Sequence, residues 1–329
     1  MPNAYPLSSE HQLAEHYQQR IMPFWQDSVV KGQFKGVNDT LIKTAYCLCP
    51  HARGSIVISP GRTEGYIKYQ ELIFDLHRLG YCVFIIDHRG QGFSERLIDQ
   101  PQKGYVGDFN DYIVDLKTFY DEVVNHKAQG KRFLLGHSMG ATIATLYLQH
   151  YPNHFHAATL SAPMFGFNTG KLPKAIVKPL FLMMIYWKKI THRLNDYVVG
   201  QQDHQQVPFK HNALTHSQIR YQHFCHQYQQ QPQLQLGGIT YAWLATSTQA
   251  IDQLFANLYQ LKTPLLMLQA SDDTIVSLDA QQQFYWQMQA QGHCQKVLLK
   301  PARHEVLFEE DLQRDQAITA MIDFFANHE

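Results

Sequence analysis

The chain has 329 residues, of which 45% are hydrophobic, and equal numbers of basic and acidic side chains. That supplies a sizeable buried core and excludes general disorder. Zero net charge gives no global attraction to nucleic acid, and no nucleic-acid partner is expected.

The first helical pattern covers 10–22 and is predicted to end before Pro23. The opening residues lack the charged start and apolar run of a secretion signal. Strands are predicted at 32–36 and 40–49. Cys47 and Cys49 stand two apart on the second of these and so share a face. The five cysteines are scattered, unlike a disulfide framework, and a reducing, cytoplasmic compartment is expected. A regular alternation then begins: strand 54–59, helix 66–79, strand 81–87, helix 108–124 with Asp108 as N-cap, strand 132–137, helix 139–150 and strand 156–161. The run 81–87 is apolar almost throughout, as in a strand covered on both faces. This βαβα order predicts an α/β fold, a mostly parallel sheet with helices on both sides.

From 163 to 262 the rhythm stops, and the chain is rich in glutamine, histidine and aromatics. It resumes with strand 264–270, helix 278–291, strand 296–300 and a last helix at 312–327. The expected organisation is one core, 1–162 with 263–329, interrupted by a mainly helical cap, 163–262. The longest apolar stretch, 180–187, is far short of the roughly 20 residues that span a bilayer.

The segment GHSMG, 136–140, fits the pattern G-x-S-x-G. An apolar strand precedes it and an amphipathic helix follows at once, the context of a nucleophile elbow in an α/β hydrolase. Ser138 is therefore the candidate nucleophile. A serine hydroxyl needs a base beside it, and the base needs an acid to orient it. On this fold the order is serine, acid, histidine, each near the carboxyl end of a strand. His304 alone among 19 histidines has that order and that place. His137 and His88 lie near the site but precede Ser138, and are assigned packing roles or roles supporting the catalytic residues. Asp272 and Asp273 both follow the strand 264–270 directly; Asp273 is preferred, and Asp272 is the alternative. Two main-chain N–H groups are expected to hold the oxyanion, from Met139 and from Arg62 in the turn SPGRTEG, 59–65. No metal or organic cofactor is required by this chemistry. The segment HRGQG, 88–92, is no dinucleotide fingerprint, because Glu95 stands where the third glycine belongs.

Taken together, DHRGQGFS (87–94), SPGRTEGYIKYQEL (59–72) and GHSMG resemble the monoacylglycerol lipase and lysophospholipase branch of the α/β hydrolases. Further similar segments are FNDYIVDL (109–116), SAPMFG (161–166), LTHSQIRY (214–221) and HEVLFE (304–309). The resemblance spans nearly the whole chain. It implies the set Ser138, Asp273 and His304, cleavage of the acyl ester of a lysophospholipid or other monoacyl lipid, and a peripheral place at the cytoplasmic face of the inner membrane. One departure points away from monoacylglycerol: Pro60 and Arg62 stand where many monoacylglycerol lipases carry histidine and a small residue.

The cap run 174–189 is apolar in its middle with lysines at both ends. That pattern suits a helix lining an acyl channel, one resting on a lipid interface, or one buried against the core. Phe181, Met184 and Trp187 are its expected substrate contacts. Ser138 argues against the epoxide hydrolases and dehalogenases, which place aspartate in the elbow. Acyl transfer to a lipid alcohol would use the same residues as hydrolysis, and a non-catalytic lipid-binding role is the third reading.

Overall fold

A computed structural model describes residues 5–168, 170 and 174–329, the side chains of 174–178 excepted. Eight strands form one sheet: β1 (Val30–Lys35), β2 (Leu41–Cys47), β3 (Gly54–Ser59), β4 (Tyr81–Ile86), β5 (Lys131–His137), β6 (Ala157–Ser161), β7 (Leu265–Ala270) and β8 (Cys294–Leu299). Their spatial order is β1-β2-β4-β3-β5-β6-β7-β8. The pairs β1·β2 and β2·β4 are antiparallel, and all pairs from β4 to β8 are parallel. This is the layering expected of an α/β hydrolase.

The sheet is buried on both faces because its central strands are mostly apolar on both sides of the pleat. In β4 the period of two sends Cys82, Phe84 and Ile86 to one core, and Tyr81, Val83 and Ile85 to the other. Helices Asn110–Phe119, Met139–His150 and Leu278–Gln289 cover the first face; Gln70–Arg78 and Asp311–Ala326 cover the second.

One expectation fails at the start of the chain. The first helix does not end before Pro23 but continues to Ser28. A wide π turn over Tyr17–Ile21, closed by Met22 N–H to Tyr17 O, interrupts the ordinary ladder just before the proline. Pro23 then stands in the first turn of the next helical segment, where its missing N–H costs nothing.

Between β6 and β7 the chain leaves the sheet. Three helices follow, Lys174–Ile190, Gln218–Gln230 and Tyr241–Ala256, without a strand among the described residues. The lysines at 174 and 178 that open the first lie outside the described side chains. The second helix is tied to the core by charge. Arg220 meets both carboxylate oxygens of Glu71 at 2.9–3.2 Å, Asp311 Oδ1 at 2.8 Å and the main-chain oxygen of Glu309 at 2.6 Å. Arg314 is wholly buried and pairs with Asp75 at 2.7 Å.

Removing one partner of a buried pair costs up to about 3–5 kcal/mol; without Arg220, Glu71 keeps only Arg314, at 3.5 Å. Arg220→Ala is therefore expected to lower unfolding free energy by about that amount in urea denaturation. The double variant Arg220→Met/Glu71→Gln should recover much of the loss, because no buried carboxylate is then left unpaired. Equal stability of wild type and Arg220→Ala would show that this contact does not anchor the cap.

Candidate active site

The turn from β5 into the helix Met139–His150 is made possible by glycine on either side. A Cβ on Gly140 would lie 2.0 Å from Ser59 O, and one on Gly136 would lie 2.6 Å from Ala141 Cα. Helix and strand therefore approach more closely than any side chain allows. Ser138 between them has φ 52° and ψ −117°, a region L-residues rarely adopt. Its N–H donates to Ser161 O at 2.9 Å, and its carbonyl accepts from Met164 N–H at 3.1 Å. These bonds pin the strained residue to β6 and to the start of the cap.

His304 arrives in the turn after β8, 166 residues further on. Its Nε2 is 2.9 Å from Ser138 Oγ, and its Nδ1 is 2.7 Å from Asp273 Oδ2. Both histidine and aspartate are buried. Asp273 Oδ1 also accepts the N–H groups of Ile275 at 2.8 Å and Val276 at 3.1 Å. Burial alone would raise the Asp273 pKa; the bond to His304 and the two main-chain donors outweigh it and hold the carboxyl below its usual range. Asp272 is exposed, and its carboxylate takes the Ser271 hydroxyl at 2.9 Å. Of the two adjacent acids, Asp273 is the one beside His304.

Met139 opens its helix, where main-chain N–H groups have no intrahelical acceptor. Arg62 lies in the turn after β3. That turn is clamped from within: Gly61 N–H donates to Glu64 Oε2 at 2.6 Å, and Gln91 Nε2 donates to Gly61 O at 2.7 Å and to Glu64 O at 2.9 Å. Among the described residues, neither the Met139 nor the Arg62 N–H has an acceptor within the chain.

Beneath this turn lies a buried charged cluster that the sequence reading missed. Lys68 bridges Glu64, at 2.7 Å, and Glu305, while Tyr69 donates its hydroxyl to Glu64 at 2.6 Å. Burial pushes both carboxyls up. In Glu64 the attraction of Lys68, with a smaller one from His137, outweighs burial and the pKa falls; in Glu305 burial and the neighbouring charge of Glu64 outweigh Lys68, and it rises. Glu305 is the neighbour of His304, so the cluster joins the Arg62 turn to the turn that carries the histidine. The available signal was the four-residue spacing of Glu64 and Lys68. His137 is packed against the same cluster, 3.7 Å from Glu64 Oε1, and burial pushes it down to about 4. His88 accepts or donates to Ser59 Oγ at 2.9 Å, and burial lowers it to about 3. Neither reaches Ser138 Oγ, and both are neutral at physiological pH.

An apolar cavity of about 380 Å³ opens between cap and core, lined by Phe165, Phe167, Phe181, Ile185, Leu244 and Ile251 among others. Phe165 directly follows Met164, whose N–H holds Ser138. Of the cap residues expected at the substrate, Phe181 lines this cavity and Met184 packs in the adjoining cluster around Tyr241 and Leu244. Trp187 does not line it; it is 63% exposed on the opposite side of its helix.

A family model described as serine aminopeptidase, S33, matches residues 50–311. Lysophospholipase L2 of Escherichia coli (strain K12) is 37% identical over 313 residues, 94% of this chain and 90% of that protein. Probable lysophospholipase L2 of Haemophilus influenzae is 32% identical over 83% of each chain. Among solved structures, a soluble variant of monoglyceride lipase from Saccharomyces cerevisiae, in complex with a substrate analogue, superposes with a TM-score of 0.68. It is 18% identical, over 92% of this chain and 96% of that one.

The two carboxylates can be separated by conservative substitution. Asp273→Asn is expected to lower kcat by about 10⁴-fold in a folded protein, since an amide cannot hold the same tautomer of His304. Asp272→Asn should stay within about threefold of wild type, as an exposed change. Steady-state kinetics on any turned-over ester reads both, and a reversed order would move the acid role to Asp272.

Proposed function

This chain belongs to the family described as serine aminopeptidase, S33, and within it stands with lysophospholipase L2, and we propose that it removes the single acyl chain of lysophospholipids. It is a carboxylic ester hydrolase acting on lipid esters. The family description names a peptidase, but the relatives matched over most of the chain are named for lipids, and the cavity under the cap is lined mainly by apolar side chains.

In the proposed cycle His304 Nε2 takes the Ser138 proton as Oγ attacks the ester carbonyl. The main-chain N–H groups of Met139 and Arg62 hold the oxyanion, and Asp273 stabilises the imidazolium. The carbonyl re-forms, the glycerol-side oxygen leaves, and His304 protonates it. Water, deprotonated by His304, then attacks the acyl-enzyme and releases the fatty acid and free Ser138. The core is taken as 1–162 with 263–329, and the cap as 163–262. The observation that carries this reading is the relay of 2.9 Å and 2.7 Å from Ser138 through His304 to Asp273.

A monoacyl lipid must be drawn from a membrane or micelle, and the first cap helix offers a surface for that. Leu180, Met183, Trp187 and Ile190 recur at helical spacing and are all exposed, with Tyr186 beside them and Lys188 and Lys189 near the end. None of the described helices is long and apolar enough to cross a membrane. We read this face as resting on the lipid surface, at the cytoplasmic side of the inner membrane.

The test is a panel of lysophosphatidylcholine, lysophosphatidylethanolamine, monoacylglycerol and a short p-nitrophenyl ester. Wild type should turn over the lysophospholipids, and Ser138→Ala should lose about 10⁴-fold or more of every activity. Trp187→Glu should impair lysolipid in vesicles while sparing the short soluble ester. Turnover of the short ester alone would refute the lysophospholipase reading.

A further inference from the structure

The fully buried cations each hold a carboxylate. Lys68 has Glu64 and Glu305, Arg89 has Asp111 and Asp115, Arg220 has Glu71 and Asp311, and Arg314 has Asp75. Partly buried Arg96 and Arg303 spread their donors over several main-chain carbonyls. Arg62 does neither. Among the described residues its guanidinium makes one hydrogen bond, from Nη1 to Gly237 O at 2.8 Å, and lies 5.9 Å from the centre of the Trp243 ring. A guanidinium has five donor hydrogens, so most remain unspent.

Arg62 is itself only partly buried, but no acid stands beside it among the described residues. Desolvation lowers the Arg62 pKa to about 10, and the ionisable groups that act on it are the phenols of Tyr112 and Tyr197, neutral at physiological pH. Arg62 is therefore charged, partly buried and, among the described residues, without a counter-anion. A cation with unspent donors beside a reaction site can take the negative charge of a ligand.

Its position limits what that ligand is. The Arg62 main chain is the proposed oxyanion donor, and its side chain runs under the cap to Gly237 and Trp243. Trp243 in turn touches Phe167, a wall of the apolar cavity, at 6.2 Å between ring centres. One residue thus reaches from the ester carbonyl to the rim of the cap. The phosphorus of a lysophospholipid lies as many bonds from its ester carbonyl carbon as the Arg62 guanidinium carbon lies from the Arg62 nitrogen. With the carbonyl oxygen on that N–H, the phosphodiester falls within reach of the guanidinium.

We propose that the Arg62 side chain is the seat of the substrate's phosphodiester anion and selects phosphorylated over uncharged monoacyl lipids. This rests on the lysophospholipase reading above and specifies which residue recognises the head group. The recognition is by charge and by the paired donors of the guanidinium, which suit two phosphate oxygens at once. It gives a physical meaning to the position where many monoacylglycerol lipases carry a small residue.

The test compares kcat/KM for lysophosphatidylcholine and monoacylglycerol in wild type, Arg62→Gln and Arg62→Lys. All three keep the main-chain N–H. Arg62→Gln should lower the ratio of lysophospholipid to monoacylglycerol by about 10- to 100-fold, mainly through KM, and Arg62→Lys should restore part of it. A second measurement is independent of turnover: in Ser138→Ala, a submicellar single-chain alkyl phosphocholine should bind more tightly than the alkylglycerol of equal length. Adding Arg62→Gln should erase that preference. An unchanged ratio in an enzyme that does cleave lysophosphatidylcholine, or an undiminished binding preference, would overturn the role of Arg62 alone. No cleavage of lysophosphatidylcholine by wild type would instead overturn the functional reading, and the binding comparison would still decide Arg62.

Discussion

Everything in the site hangs on the hydrogen bond between Ser138 Oγ and His304 Nε2. Its two ends are 166 residues apart, so the whole sheet must close before it exists. Ser138 is fixed by a backbone turn that only glycine neighbours permit, and His304 by a turn leaving β8. Strain at the serine is tolerated because the surrounding bonds over-determine it: its N–H is held by β6 and its carbonyl by the first residues of the cap segment. The sheet thus works as a rigid frame that sets one oxygen against one nitrogen.

The frame is reinforced from below by buried charge. The turn carrying Arg62 and the turn carrying His304 come from opposite halves of the chain, yet Lys68 binds a carboxylate from each, Glu64 and Glu305. The second cap helix and the segment leading into it grip the same region: Glu305 N–H donates to Leu214 O at 2.8 Å, and Arg220 reaches Glu71 and the Glu309 carbonyl. Cap, Arg62 turn and histidine turn are consequently one connected unit. Buried ion pairs add little net stability, but they penalise any arrangement that separates them, which suits a site whose distances matter more than its depth.

Much of this was legible in the sequence because it depended on local pattern. Apolar runs marked the central strands, and the elbow glycines marked Ser138; the helix that follows runs Met139–His150 as predicted. Chain order and strand ends singled out His304. What pattern could not separate were outcomes decided by side-chain direction. Asp272 and Asp273 follow the same strand, and only the turn shows that the second faces the histidine while the first meets Ser271. Trp187 and Phe181 lie on one helix with similar hydrophobicity, but one lines the cavity and the other faces outward. The continuation past Pro23 required a π turn, for which the sequence carries no periodic signature. The lone charge of Arg62 became visible only when each neighbouring cation was seen with its acid.

The most direct measurement is covalent labelling with a fluorophosphonate, located by peptide mass spectrometry and timed at neutral pH. The expected result is a single adduct on Ser138, formed about 10³-fold or more slowly when His304 is replaced by alanine in a folded protein. Labelling at another serine, or a rate at Ser138 that does not depend on His304, would contradict the claim that this hydroxyl is activated by that imidazole.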